Sequence, residues 1–328
     1  MALRSFLRVV SFALVFSVAQ HAQAQPSFAD IDLQFAPGIP LPNEESAEAR
    51  LIGLDINVGV PVPLGERSFL LPGVSYHLDS VSFRNAPLLS KPPRLHSIEA
   101  SLRLVQLLPR RWTLTLSAAL GLAGDFQSVD SGLLRGNALV LANHKFNERV
   151  TLGGGFLATY GFGVFLPLPA IFLRWSPTRR FWLEAFLPAY VRMTVLAHER
   201  VETSLVVQVA GQNYAIREAR SAPCPSFDDG SDACLDNIAY SLATAQLDVG
   251  VNLGVTIWLH LHGGVTLFRR FEQRTASGRT LPDGENRVAN GPVIGVRLVV
   301  RLPSGEAEGE EGEGEEIEPT PPNPSSDP

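Results

Sequence analysis

The stretch Arg111-Trp-Thr-Leu-Thr-Leu-Ser-Ala-Ala-Leu-Gly-Leu122 decides the fold of this chain. Trp112, Leu114, Leu116, Ala118, Leu120 and Leu122 alternate there with Arg111, Thr113, Thr115, Ser117, Ala119 and Gly121. Side chains along a β-strand point to opposite faces in turn, so the segment has one apolar face and one polar or small face. Strands of soluble domains average about five or six residues, whereas a tilted strand crossing a bilayer needs about 9–11. This alternation has the longer length. It returns in Ile52, Leu54, Ile56 and Val58 against Gly53, Asp55 and Asn57, in Leu247, Val249 and Val251 against Asp248 and Gly250, and in Ile294, Val296 and Leu298 against Gly295 and Arg297. Between Asp30 and Leu302 no uninterrupted apolar run reaches the length of about 18 residues that marks a transmembrane helix.

Outward from these segments, the two ends differ from the body. Residues 1–24 carry Arg4 and Arg8, an apolar run from Val9 to Ala19, and Ala22-Gln23-Ala24, the pattern of a cleaved secretory signal peptide. Residues 304–328 are rich in Gly, Glu and Pro and are expected to form a disordered acidic tail. Nine of the 33 acidic residues lie beyond Leu302, and two of the 27 basic ones lie in the first ten positions. The segment between therefore holds 25 basic and 24 acidic groups, a balance of +1. That balance excludes a polybasic nucleic-acid binder, and the apolar content excludes a disordered body. Residues 25–303 are expected to form an all-β domain, an antiparallel transmembrane β-barrel of about 12 strands. Its expected place is the outer membrane of a Gram-negative bacterium, in contact with outer-membrane lipids and with insertion by the barrel-assembly machinery expected.

Strands are predicted near 29–36, 49–60, 69–79, 96–107, 112–122, 137–143, 149–160, 170–176, 181–196, 240–253, 258–271 and 291–302. Long links then alternate with short ones, as outer loops alternate with periplasmic turns in membrane barrels. The longest link is Ala197–Ala239, within which Leu205 to Val209 alternates and is expected to form a hairpin projecting above the barrel. Trp112, Trp175, Trp182 and Trp258 all fall within two residues of the short turns and are predicted to form an interfacial aromatic girdle.

The order of several segments resembles an uncharacterised bacterial family of outer-membrane β-barrels known only as a domain of unknown function. The residues that carry the resemblance are Thr151-Leu-Gly-Gly-Gly, Phe162-Gly-Val-Phe-Leu-Pro-Leu-Pro, Arg174-Trp-Ser-Pro with Trp182 beyond it, Leu187-Pro-Ala, Asp248-Val-Gly-Val-Asn-Leu-Gly and Phe268-Arg-Arg-Phe. The resemblance implies a barrel and transfers no activity or catalytic residue. Barrels of this class commonly finish on an aromatic residue, whereas here the last strand ends near Leu302 with the tail behind it.

Cys224 and Cys234, the two cysteines of the chain, are expected to form a disulfide in an oxidising compartment. Asp228, Asp229, Asp232 and Asp236 surround them without the spacing of a calcium loop and read as a solvated loop. Ser75, His77 and Asp79 share a strand face. Residues two apart on a strand are separated by about 6.6 Å, too far for the bonds of a triad. His260 and His262 form a pair without a third ligand at a diagnostic spacing, and the glycines at 153–155 lack the Lys-Ser/Thr and the helix of a phosphate loop. No catalytic residue, metal or cofactor is predicted, and the chain is not expected to be an enzyme.

With the apolar set facing lipid, the predicted lumen lining includes Asp55, His77, Asp79, Glu99, Arg103, Asp248, His260, Arg297 and Arg301. Both signs of charge are present, so a ring of one sign and strong ion selectivity are not expected. A barrel of this size lies between the filled and the open-channel kinds, so a narrow or plugged pore is expected. A small, weakly selective channel or transporter is the leading expectation. A surface-interaction barrel displaying the disulfide-bearing loop comes second, and a lipid-modifying enzyme third.

Overall fold

The computed structural model describes residues 27–41, 44–84, 94–161, 164–217, 234–254, 256–287 and 289–301. The expected signal peptide, the acidic tail and Cys224 lie outside these residues, so the Cys224–Cys234 pairing stays an expectation. The strands are β1 (Ser27–Leu41), β2 (Glu44–Gly59), β3 (Val62–Gly65), β4 (Ser68–Arg84), β5 (Arg94–Leu108), β6 (Trp112–Gly124), β7 (Leu134–Asn147), β8 (Val150–Gly161), β9 (Val164–Thr178), β10 (Phe181–Leu187), β11 (Tyr190–His198), β12 (Val201–Ala215), β13 (Asn237–Asn252), β14 (Ile257–Arg274), β15 (Thr280–Arg287) and β16 (Pro292–Arg301). The helical content of the described residues is a single 3-10 turn, Ser131–Leu133.

Each strand pairs antiparallel with its neighbours, and the β1–β16, β14–β16 and β13–β14 ladders close the ring. β3 and β15 are short additions to β4 and β14, which leaves 14 strands in the barrel. Closure satisfies the backbone N–H and C=O groups that an open edge would leave bare in lipid. The even count keeps both ends of the barrel domain at the same rim.

Two more strands are present than the twelve expected. The run 181–196 divides at Pro188–Ala189 into β10 and β11, and Leu205–Val209 belongs to a wall strand, β12, rather than to a hairpin above the barrel. The first error arose because apolar alternation runs through the two-residue turn without a polar interruption. The second arose because β12 turns polar beyond Val209, so it reads as a loop.

The outer face explains the apolar composition. Leu120, Phe156 and Leu261 expose 59%, 67% and 61% of their surface. Ile31, Val74, Ile98, Val140, Ile171, Leu205, Leu247 and Ile294 are exposed on the same side of their strands. In a bilayer these side chains meet lipid, and the alternate positions turn inward.

Candidate functional site: the lumen and its outer cover

Register places all nine predicted lining residues on the inner face, where two charged networks form. Near the rim that carries the short turns, Arg301 donates to Glu202 at 2.6 and 3.1 Å and its guanidinium stacks 4.4 Å from the Trp258 ring. His260 meets Asp248 at 2.6 Å, and Arg297 reaches the other Asp248 oxygen at 3.3 Å. A Cβ on Gly250 would lie 2.6 Å from His260, and one on Gly295 would lie 2.1 Å from His262. These two glycines let the imidazoles lie against the wall. His262 faces Asp32 at 3.5 Å.

Higher in the barrel, His77 has Asp55 at 2.5 Å on Nδ1 and Asp79 at 3.0 Å on Nε2. The His77–Asp79 contact joins residues two apart on β4, so the side chains close the strand spacing of about 6.6 Å that was expected to keep them apart; with both ring nitrogens on carboxylates, none is offered to Ser75. Glu99 accepts from Asn137 at 2.9 Å. Arg103 lies on the inward side of β5, opposite Ser117 of β6. Across the lumen, Tyr190 donates to Glu184 at 2.6 Å.

Two of the four tryptophans lie where a girdle requires them: Trp112 and Trp175 are each 43% exposed on the outer face. Trp258 does not. It is 8% exposed and packed under Arg301, because its position pairs with the inward Val299. Trp182 shares the inward parity of Glu184 and Phe186. Proximity to a turn fixes height along the barrel but not the face, which strand parity decides.

The end of the lumen opposite the short turns is covered by the wall itself. β12 keeps its ladder to β11 up to Gln208, with one further bond from Val209 N–H to the Ala189 carbonyl. β14 keeps its ladder to β16 up to Val265. Beyond these points the three strands β12, β13 and β14 remain paired with one another but leave the wall on both sides. A bulge marks the bend: Thr244 pairs with Thr266 and Ala243 with Phe268, leaving Leu267 without an opposite residue. Such bulges bend a strand and increase its twist.

The sequence gives a reason for the bend. Below it the outward positions are Leu205, Val207, Leu247, Leu261 and Val265, which gain from facing lipid. Above it they become Gly211, Asn213 and Ala215 on β12, Ala239 and Ser241 on β13, and Arg270, Glu272 and Arg274 on β14. Small, polar and charged side chains gain nothing from lipid contact.

The bent part crosses the lumen to the far wall. Ala215 pairs in parallel with Gly124 of β6, Asp125 N–H donates to the Ala215 carbonyl at 3.0 Å, and Arg135 donates to the Asn213 carbonyl at 3.2 Å. Tyr214 donates to Asp79 at 2.7 Å. Arg217 grips both oxygens of Asp130 at 2.7 Å, reaches Asp236 at 3.1 Å, and its backbone N–H donates to Asp125 at 2.7 Å. The Asp130 hydrogen bonds hold this guanidinium above its ordinary pKa against the opposing effect of burial. An apolar layer seals the junction, with Tyr214, Ile216, Ile238, Tyr240 and Phe271 from the cover against Ala36, Leu51, Val81, Leu95 and Ala123 from the wall.

Beneath the cover lies a polar cavity of about 90 Å³, lined by Asp55, Ser75, His77, Asp79 and Glu99 on one side and by Gln208, Gln212 and Tyr240 on the other. Sequence reasoning missed Glu184, Glu202, Tyr214 and Arg217. The first two carry a legible signal, a charge at an alternate position within an apolar strand. Tyr214 and Arg217 sit among polar residues and carry none.

Three solved structures are similar to this chain at low identity. The COG4313 outer membrane channel from Pseudomonas putida F1 is 8% identical, with a TM-score of 0.46 over 85% of this chain and 97% of that one. LpxR from Salmonella typhimurium is 8% identical, with a TM-score of 0.34 over 83% of this chain and 100% of that one. The TodX monoaromatic hydrocarbon channel, as its deltaS2 mutant, is 9% identical, with a TM-score of 0.39 over 84% of this chain and 89% of that one. Among curated proteins, none matches the sequence. One family model covers residues 66–297, more than half of the chain, and the protein therefore belongs to the family described as Domain of unknown function (DUF6268).

Proposed function

We propose that the protein is an outer-membrane channel for small solutes, weakly selective, whose outer end is closed at rest by the inward-bent ends of β12–β14. The observation that carries this reading is the cross-lumen junction of Ala215 with Gly124, which bars the axial path with a few hydrogen bonds and one apolar layer. A cover held in this way can be displaced without breaking the 14-stranded ring below it. Both charge signs line the lumen, with Asp55, Asp79 and Glu99 against Arg103, Arg297 and Arg301, which supports weak selectivity. Insertion by the barrel-assembly machinery and the absence of enzymatic activity belong to the same proposal.

Planar-bilayer recording of the full chain tests it. Brief, small conductance steps with little preference between potassium and chloride are expected. Membranes that carry heat-modifiable barrel yet stay silent over a range of voltages would overturn the channel reading. They would favour the second reading, a surface-interaction barrel whose outer loop is rooted on the Arg217 cluster.

A further inference from the structure

We propose that a gap in the barrel wall above the β10–β11 hairpin is a lateral passage through which small apolar solutes move between the lumen and the outer half of the bilayer. The inference rests on the channel reading above and names a substrate class for it. A tilted strand spans a membrane with about 9–11 residues; β10 has 7 and β11 has 9, and they turn at Pro188–Ala189. At roughly 3.3 Å per residue and a tilt near 40°, β10 climbs about 18 Å, short of the apolar band of about 25 Å on such barrels. The hairpin tip thus lies at membrane depth.

Above that tip the neighbours lose their partners. β9 pairs with β10 only as far as Ile171, while its other edge stays paired with β8 up to Val164. On the far side of the gap β12 leaves the wall after Val209. Among the described residues no strand pairs with the free edge of β9 above Ile171.

A bare strand edge in lipid exposes unsatisfied N–H groups at a cost of several kcal/mol each. The sequence removes the first two of them, and Phe165, the next odd position, keeps its N–H. Ser176 N–H donates to the Arg149 carbonyl on the β8 side, and the β8–β9 register runs unbroken from there. Even-numbered residues of β9 therefore point their N–H groups at β8, and odd-numbered ones point at the gap. The two odd positions directly above Ile171 are Pro169 and Pro167, which have no N–H to expose.

Behind the gap the lumen is apolar. Leu168 and Ala170 on β9 pack with Leu157, Leu139 and Phe186, in contrast to the carboxylates and His77 on the opposite wall. With the axial exit covered, a largely donor-free edge and an apolar layer beside the Glu184–Tyr190 pair favour solutes poor in hydrogen-bonding groups that already partition into the membrane.

Uptake of the neutral apolar dye N-phenylnaphthylamine tests this in efflux-poisoned cells that carry the full chain in a lipopolysaccharide-bearing outer membrane. The expected initial rate is several-fold above that of vector cells. Leu168→Glu, a charge behind the gap, is expected to return it to the vector rate. If Leu168→Glu loses the heat-modifiable band, the neutral Leu168→Gln is measured instead, with a partial loss expected. Dye uptake at the vector rate in cells whose purified channel conducts ions would sink the lateral passage and leave the channel standing. Fast dye uptake by a protein with no ionic conductance would do the reverse. Full uptake in an assembled Leu168 variant would also overturn the proposed path.

Discussion

One side of the barrel is tall and the other is low. β4 runs 17 residues, paired with β2 from Gly73 to Arg84 and with β5 from Ser68 to Ser80, and so on both edges from Gly73 to Ser80. β10 runs 7 residues. β14, although 18 residues long, is held in the wall only from Ile257 to Val265. β4 turns polar on its outward face at Ser80 and Ser82 and still stays in the wall, held by its ladders to β2 and β5; β12 and β14 lose their ladders to β11 and β16 where their outward face changes, and there they bend inward. Strand length and wall height are therefore different quantities, and the difference between them makes the cover.

The comparison can be broken most severely by removing the cover. Replacing residues 210–242 with an Asn-Gly turn joins Val209 directly to its partner Ala243. A ring of this size holds an open lumen once its contents are removed, so conductance is expected to rise on the order of tenfold with the heat-modifiable band retained. A smaller change is expected from Arg217→Ala. It leaves Asp130 and Asp236 without their shared cation while the backbone bond to Asp125 stays, and the charged hydrogen bonds lost are each worth about 1.5–3 kcal/mol. Asp130 is 38% exposed, which favours the low end. Channel open time should lengthen, and an unchanged open time would show that the junction does not close the pore.

Gly295→Ala addresses the low wall itself. The added Cβ would meet His262 Nε2 at 2.1 Å and the Leu33 carbonyl at 2.7 Å, so the β1–β16 seam has to shift. A destabilisation of about 1–3 kcal/mol is expected, read as a lower urea midpoint in detergent. Gly65→Ala, with nothing within 4 Å, should leave the midpoint in place. The smallest effect is expected from Tyr214→Phe, which removes the single bond to Asp79. A loss of about 1 kcal/mol corresponds to roughly a fivefold change in the open fraction. A change as large as that of Arg217→Ala would relocate the main latch to the His77–Asp79 side.

The outer face of this barrel was legible because lipid contact imposes a period of two that local sequence records. Ile52 to Val58 and Trp112 to Leu122 show it without any knowledge of partners. Charged lining residues such as Asp248 and Arg297 followed from the same period. The cover was not legible, since its contacts join residues far apart in sequence, such as Tyr214 with Asp79 and Arg217 with Asp130. Nothing local marks Ala215 as the residue that reaches β6. The β10–β11 turn was hidden for a different reason: Leu187-Pro-Ala-Tyr190 is as apolar as the strands it joins.

The central claim, that the upper ends of β12–β14 lie across the lumen, is tested most directly by a distance. Spin labels at Gln212 and Ser97 sit on residues that line one cavity, and pulsed electron resonance on the inserted barrel should place them less than about 20 Å apart, allowing for two label arms. For a ring of this size, strand spacing and tilt give a diameter of about 28 Å. A single narrow distribution at or beyond that diameter would mean that β12 continues up the wall, and would contradict the covered lumen.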